Sequence, residues 1–126
     1  MERRVCGAHI ELHAAYEDAL RIIPGSLPAA NPYEVHGRLR CALEVHAADP
    51  HYGIARSLPM DCPGEVWACW SDGHQPSGLL TLSDCTTRNP VDADEACLLF
   101  NQHPGGHSWA LSDPDEDALR ARLGLL

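Results

Sequence analysis

The first fifty residues of the chain place apolar side chains every three or four positions, which is the spacing of an amphipathic helix. Residues 8–23 carry the pattern, and Pro24-Gly25 ends it. Its apolar positions are Leu12, Tyr16, Ala19, Leu20 and Ile23. This segment is predicted to form the first helix.

A second helix is predicted from Pro32 to about Asp49. Asn31 is a favourable N-cap, Pro32 suits the first helical position, and Glu34 can complete a capping box. One face of this helix would carry Val35, Leu39, Ala42, Leu43 and His46. Because only a short loop joins the two helices, they are expected to pack as an antiparallel hairpin.

Beyond Pro59 the pattern changes to that of short strands separated by turns. Residues 65–71 and 79–83 are predicted strands, and further strands are expected around 96–100 and 108–111. Asp113-Pro114 then starts a short C-terminal helix that runs through Leu119 and Leu123 and ends at Gly124.

These elements predict one α+β domain over residues 1–126. Residues 1–58 would form a mainly helical part, the N-terminal hairpin. Residues 59–126 would form a β-rich part with a small antiparallel sheet, a bound zinc ion and the short C-terminal helix. Each half is too small for a core of its own, which favours a single domain.

Charge divides the chain unevenly and argues against a DNA-binding role. Residues 1–60 carry seven acids and six arginines, whereas residues 61–126 carry eleven acids and three arginines, so the net charges are −1 and −8 of the total −9. A protein that binds nucleic acid normally needs a basic surface to neutralise phosphates. All nine basic residues are arginine; this bias, with abundant alanine, indicates a GC-rich genome.

Composition also bears on location and on the use of the cysteines. No apolar run approaches the roughly 20 residues of a membrane span, and Met1-Glu-Arg-Arg-Val-Cys6 is not followed by the hydrophobic stretch of a signal peptide. A cytoplasmic location is therefore expected. In that setting the six cysteines are expected to be thiols or metal ligands rather than disulfides.

The strongest chemical signal is a thiol and two imidazoles at the spacing C-x5-H-x3-H, formed by Cys97, His103 and His107. A Pro-Gly-Gly turn between the histidines allows them to converge, and such ligands suit a tetrahedral Zn²⁺ ion. Cys85, at the end of the preceding predicted strand, is the favoured fourth ligand. Cys69 and Cys62 remain alternatives for that position.

The segment resembles a zinc-binding signature of small proteins from actinobacteria and their phages, approximately C-x-L-P-x-G-H-x-G-x-H with another cysteine upstream. The resemblance covers about thirteen residues, Cys97 to Trp109. Phe100 and Gln102 stand where the signature has proline and glycine. It implies zinc binding but transfers no activity, because the signature occurs in proteins of many roles.

A second possible site is weaker. His9 and His13 would share one face of the first helix, a geometry that can bind a metal. A solvated pair of histidines is the favoured interpretation, since Glu11 does not complete the H-E-x-x-H arrangement. Cys62 and Cys69 are interpreted as ordinary thiols of the strand, and Cys6 and Cys41 as packing between the helices.

Together these features predict a small acidic protein with a structural Zn²⁺ ion held by Cys85, Cys97, His103 and His107. A non-catalytic interaction or regulatory role with a protein partner is favoured, and a phage-encoded modulator of a host protein fits the size and charge. One alternative is a metal-dependent hydrolase with an open zinc position and Asp94 or Glu95 as the base. The other is an acidic mimic of DNA.

Overall fold

A computed structural model of the chain describes residues 3–30, 34–47, 50–59 and 61–124. Two α-helices and five strands lie within these residues, which confirms the α+β class. In chain order they are β1 (His9–Glu11), α1 (Ala14–Leu20), β2 (Arg38–Arg40), β3 (His51–Arg56), β4 (Gly64–Trp70), β5 (Gly78–Ser83) and α2 (Pro114–Arg122), with a 3₁₀ turn at Ser108–Ala110 before α2.

The centre of the molecule is a three-stranded antiparallel sheet in the order β3-β4-β5. Strand β4 lies in the middle, where Trp67 pairs with Ile54 on one side and Leu80 on the other. Trp67 and Trp70 are only 1% and 2% exposed, although their side chains point to opposite faces. Both faces of β4 are therefore covered, and β4 forms the middle of the core.

The predicted N-terminal helical hairpin is wrong in the described residues. Helix α1 is confined to Ala14–Leu20, and residues 9–11 form a strand that pairs with Arg38–Arg40. The segment expected to continue the second helix is extended, with Leu39, Cys41 and Leu43 all buried. Alternate burial is the period of a strand, and the pairing with β1 satisfies its backbone groups. The predicted cap residues Asn31 and Pro32 lie outside the described residues.

In the described part of residues 1–58 there are three strands and one short helix, so this part is not mainly helical. A buried arginine at the end of β3 attaches the end of α1 and the segment after it to the sheet. The Arg56 guanidinium donates hydrogen bonds to the backbone carbonyls of Leu20, Ile23 and Pro28. Buried side chains of both halves form one hydrophobic cluster, from Leu12 to Phe100.

In the second half, strands β4 and β5 and helix α2 agree with the sequence prediction. The third and fourth predicted strands are reduced to isolated bridges, Asp84 with Phe100 and Arg88 with Ala96, and to the 3₁₀ turn. Helix α2 begins after the N-cap Asp113. No helix in the described part of the chain is long and apolar enough to cross a membrane.

Candidate metal centres

The four side chains predicted from the sequence meet beside the end of strand β5. They form the C-terminal cluster: Cys85, Cys97, His103 and His107. Cys85 lies two residues after β5, and its backbone N–H donates to the carbonyl of Leu99 on the neighbouring segment. Both cysteines thus stand on adjacent extended segments, and the histidines follow on a turn through Gly105, whose φ is +74°.

The distances within the C-terminal cluster are those of ligands around one tetrahedral ion. Cys97 Sγ lies 3.5 Å from His103 Nε2, Cys85 Sγ lies 3.6 Å from His107 Nδ1, and the two histidine nitrogens are 3.2 Å apart. Metal–sulfur distances of about 2.3 Å and metal–nitrogen distances of about 2.0–2.1 Å place S and N about 3.5 Å apart, and two N atoms about 3.4 Å apart. These four side chains could hold a metal ion.

The surroundings of the C-terminal cluster fix its ligands from several sides. Cys85 and Cys97 are buried, and the Ser108 N–H approaches Cys97 Sγ at 3.5 Å. His103 Nδ1 lies 3.1 Å from the Pro104 carbonyl, so its other nitrogen is left to face the cluster. The Trp109 ring stacks on His107 with 4.6 Å between the ring centroids.

The other candidates for the fourth ligand lie apart from this group. Cys69, on strand β4, is within 4.0 Å of the Ser77 hydroxyl, and Cys62 lies in the turn that precedes β4. Neither belongs to the C-terminal cluster. None of the six cysteines forms a disulfide in the structure.

A second group of the same composition lies in the first half of the chain, where the sequence did not predict a Cys2His2 site. This N-terminal cluster consists of Cys6, Cys41, His46 and His51, whose ligand atoms all lie within 4.8 Å of one another. Cys41 Sγ is 3.5 Å from His46 Nε2, and Cys6 Sγ is 3.6 Å from His51 Nδ1. This group could also hold a metal ion.

The N-terminal cluster, like the C-terminal one, has two buried and two half-buried ligands. Cys41 is fully buried and His51 is 5% exposed. Burial raises the pKa of the Cys41 thiol to about 11, and the neighbouring Cys6 raises it as well, against backbone hydrogen bonds from Tyr52 and Leu43 that lower it. The far nitrogen of His51, Nε2, lies 2.8 Å from Asp72 Oδ1. This carboxylate orients the ring with Nδ1 toward the cluster.

The remaining candidates from the sequence do not form a group that could hold a metal. His9 lies on β1 and His13 at the N-cap of α1, so they do not share a helix face. Asp94 and Glu95, the possible bases of a hydrolase, lie in a loop where the Glu95 carboxylate accepts a hydrogen bond from Asn89. Among the described residues, the two Cys2His2 clusters are the groups of this kind.

The sequence of the first half does contain a ligand spacing that predicts its cluster, but the helical periodicity of the same segment conceals it. Cys41, His46 and His51 follow the spacing C-x4-H-x4-H, close to the C-x5-H-x3-H of the second half. The helical periodicity of residues 32–49 conceals this spacing, because in a helix Cys41 and His46 would be core positions. No protein family, curated protein or solved structure matches this chain.

Proposed function

We propose that this chain is a small acidic zinc protein with a non-catalytic interaction role. Zinc at the C-terminal cluster would stabilise the loops beside β5, and the acidic surface would meet a protein partner. The observation that carries the proposal is the closed set of two sulfur and two nitrogen atoms, in which two S–N separations and the N–N separation match the edge lengths of a zinc tetrahedron. Two thiolates and two imidazoles favour zinc over Mg²⁺ or Ca²⁺.

The closed ligand set supports a structural rather than a hydrolytic role. A catalytic zinc site normally keeps a position for water and a base beside it. Here four protein ligands are available, two of them buried cysteines. Asp94 and Glu95 are not among the four ligands, and the Glu95 carboxylate accepts a hydrogen bond from Asn89 within its own loop.

The proposed partner is a protein with a basic surface, because the acidic half would repel phosphates. Exposed carboxylates lie in the loop at Asp92–Glu95 and in the first turn of α2. A modulator that a phage directs at a host protein is consistent with this charge and with the sequence resemblance. If labelled duplex DNA bound at low salt with micromolar affinity in a fluorescence anisotropy titration, this choice of partner would be wrong.

Zinc analysis of ligand variants tests the proposal. We expect zinc in the purified wild-type chain, and the loss of one equivalent in Cys85→Ser and in His107→Ala. Cys69→Ser is the matched control and should keep the wild-type content, because Cys69 lies outside both clusters. A wild-type chain without stoichiometric zinc, or equal content in Cys85→Ser and wild type, would contradict the proposal.

Cobalt substitution distinguishes a closed site from an open one. Co²⁺ in a closed S2N2 tetrahedron should give an intense visible spectrum that added azide leaves unchanged. A spectral change on azide binding would reveal an open coordination position and would support the hydrolase instead.

A further inference from the structure

The N-terminal and C-terminal clusters use corresponding atoms in the same roles. In each, the second cysteine lies 3.5 Å from Nε2 of the first histidine. The first cysteine lies 3.6 Å from Nδ1 of the second histidine. A chance grouping of thiols and imidazoles would not be expected to choose the same ring nitrogen in the same order twice.

The backbone that carries the ligands is also the same in both halves. The N–H of the first cysteine donates to the carbonyl two residues after the second cysteine: Cys6 to Leu43 at 2.7 Å, and Cys85 to Leu99 at 2.8 Å. The N–H of the second cysteine donates to the residue two positions after the first. The pairs are Cys41 to Ala8 and Cys97 to Thr87.

Three further pairings continue this correspondence along the two segments. The residue after each buried leucine pairs with the residue before the first cysteine, Glu44 with Val5 and Phe100 with Asp84. In both halves, the residue that follows Glu44 or Phe100 donates its backbone N–H to the carbonyl of the residue two positions before the first cysteine. On the other side of the cysteines, the residue three positions after the first cysteine pairs with the residue before the second. These pairs are His9 with Arg40 and Arg88 with Ala96.

The connection between the two cysteines differs most in length, while the spacings from the second cysteine to the histidines, C-x4-H-x4-H and C-x5-H-x3-H, differ by one residue each. The connection holds 34 residues between Cys6 and Cys41 and includes β1, α1 and β2, whereas it holds 11 residues between Cys85 and Cys97. The ligand order, cysteine, cysteine, histidine, histidine, is shared. The two clusters therefore sit on two copies of one backbone frame.

We infer that the N-terminal cluster, Cys6, Cys41, His46 and His51, is a second zinc site, and that the chain carries two copies of one zinc-binding unit. The Asp72 carboxylate on His51 Nε2 supports this, because metal-bound histidines commonly donate their other N–H to a carboxylate. The chain thus holds two zinc ions, and Asp72 strengthens binding at the N-terminal site alone. The C-terminal site has the Pro104 carbonyl on His103 instead.

Zinc stoichiometry in matched single-site variants tests the inference. We expect two zinc ions per wild-type chain, one in Cys6→Ser, one in Cys85→Ser and none in the double variant, with Cys62→Ser as a control that keeps two. One zinc in the wild type that Cys85→Ser removes and Cys6→Ser retains would overturn the second site and leave the proposed function intact. No zinc in the wild type would overturn both.

Asp72→Asn provides a test that keeps every ligand, in case Cys6→Ser does not fold. In competition with a chromophoric chelator, one of the two zinc ions should leave Asp72→Asn about 10–100-fold more readily than it leaves the wild type. Release of the other ion should change less. Unchanged release of both ions from Asp72→Asn would contradict a metal-bound His51.

Cobalt spectra test whether the two units are copies. Cys6→Ser and Cys85→Ser, each loaded with one equivalent of Co²⁺, should give the same S2N2 spectrum. A spectrum with one sulfur ligand in either variant would show that the ligand sets differ.

Discussion

Gly105 is the residue on which the turn of the C-terminal cluster depends most directly. Its φ is +74°, a conformation that L side chains adopt with strain. A Cβ at this position would also lie 2.9 Å from Glu44 Cβ. Glu44 belongs to the other half, where its carboxylate accepts hydrogen bonds from Arg3 and from the Gly106 N–H. Gly105 is therefore constrained by both its backbone and its neighbour.

We expect Gly105→Ala to lower the free energy of unfolding by about 2–3 kcal/mol, from backbone strain plus the contact with Glu44. Gly73→Ala is the matched control, because Gly73 has a φ of +76° with nothing within 4 Å of the added Cβ. It should lower the free energy by about 1 kcal/mol through strain alone. Urea unfolding of the zinc-loaded proteins measures both values, and equal losses would show that the Glu44 contact is unimportant.

Among the elements, those specified by local signals were predictable and those specified by distant partners were not. Helix α2 follows from Asp113 as N-cap and Pro114 at the first helical position, both adjacent in sequence. Strand β2 depends on pairing with β1, which lies nearly thirty residues earlier. The alternation of Leu39, Cys41 and Leu43 with polar or small residues is a strand signal, but Val35, Leu39 and Leu43 also fit a helix face.

The candidate sites divide in the same way. Cys97, His103 and His107 are close in sequence, and the turn between the histidines is visible in Pro104-Gly105. Cys85 follows from the proximity of two neighbouring segments. Cys41, His46 and His51 are equally close in sequence, but the helix predicted over this segment conceals them, and Cys6 reaches Cys41 only through the long connection that contains β1, α1 and β2.

Helix α2 depends on its N-terminus, because none of its residues is buried. Asp113 caps it by accepting from the Glu116 N–H, and both Asp113 oxygens accept hydrogen bonds from Arg40. Those hydrogen bonds from Arg40 hold the pKa of Asp113 below its ordinary value of 3.8. Because the pKa is lower in the folded state, the ionised carboxylate stabilises the fold when the pH is above the ordinary pKa of 3.8. The stabilisation is lost as the pH falls through the lower, folded-state pKa.

We expect Asp113→Asn to lower the free energy of unfolding by about 1 kcal/mol at neutral pH, through loss of the ion pair with Arg40. The difference from wild type should disappear as the pH falls through the lowered pKa of Asp113. Protons also compete with zinc for the cysteine and histidine ligands. Because both proteins share this effect, it cancels when their free energies of unfolding are compared at the same pH. Asp117→Asn removes the same charge from α2 without a contact to Arg40 and should have a smaller effect. A difference that persisted below the lowered pKa would contradict the assignment.

At the scale of the whole molecule, the two clusters are joined by packing as well as by the chain. The Phe100 ring, three residues after Cys97, lies 4.8 Å from the Tyr52 ring and 5.0 Å from that of Trp67, between ring centroids. Tyr52 directly follows His51 of the N-terminal cluster. Loss of metal at one cluster should therefore disturb side chains that support the other.

This contact predicts coupling between the two sites. Emptying the N-terminal site by Cys6→Ser should weaken zinc binding at the C-terminal cluster about tenfold, a coupling of about 1.4 kcal/mol, while stoichiometric zinc still fills it. In a Phe100→Leu background the Cys6→Ser effect should shrink, because the ring that contacts both Tyr52 and Trp67 is gone. Leu98→Ala is the control from the same segment, since the Leu98 side chain is 75% exposed. Chelator competition measures each affinity. If Cys6→Ser has the same effect in the Phe100→Leu background as in the wild type, the coupling does not pass through the Phe100 ring. The contact of Glu44 with the Gly105-Gly106 turn would then be the next candidate.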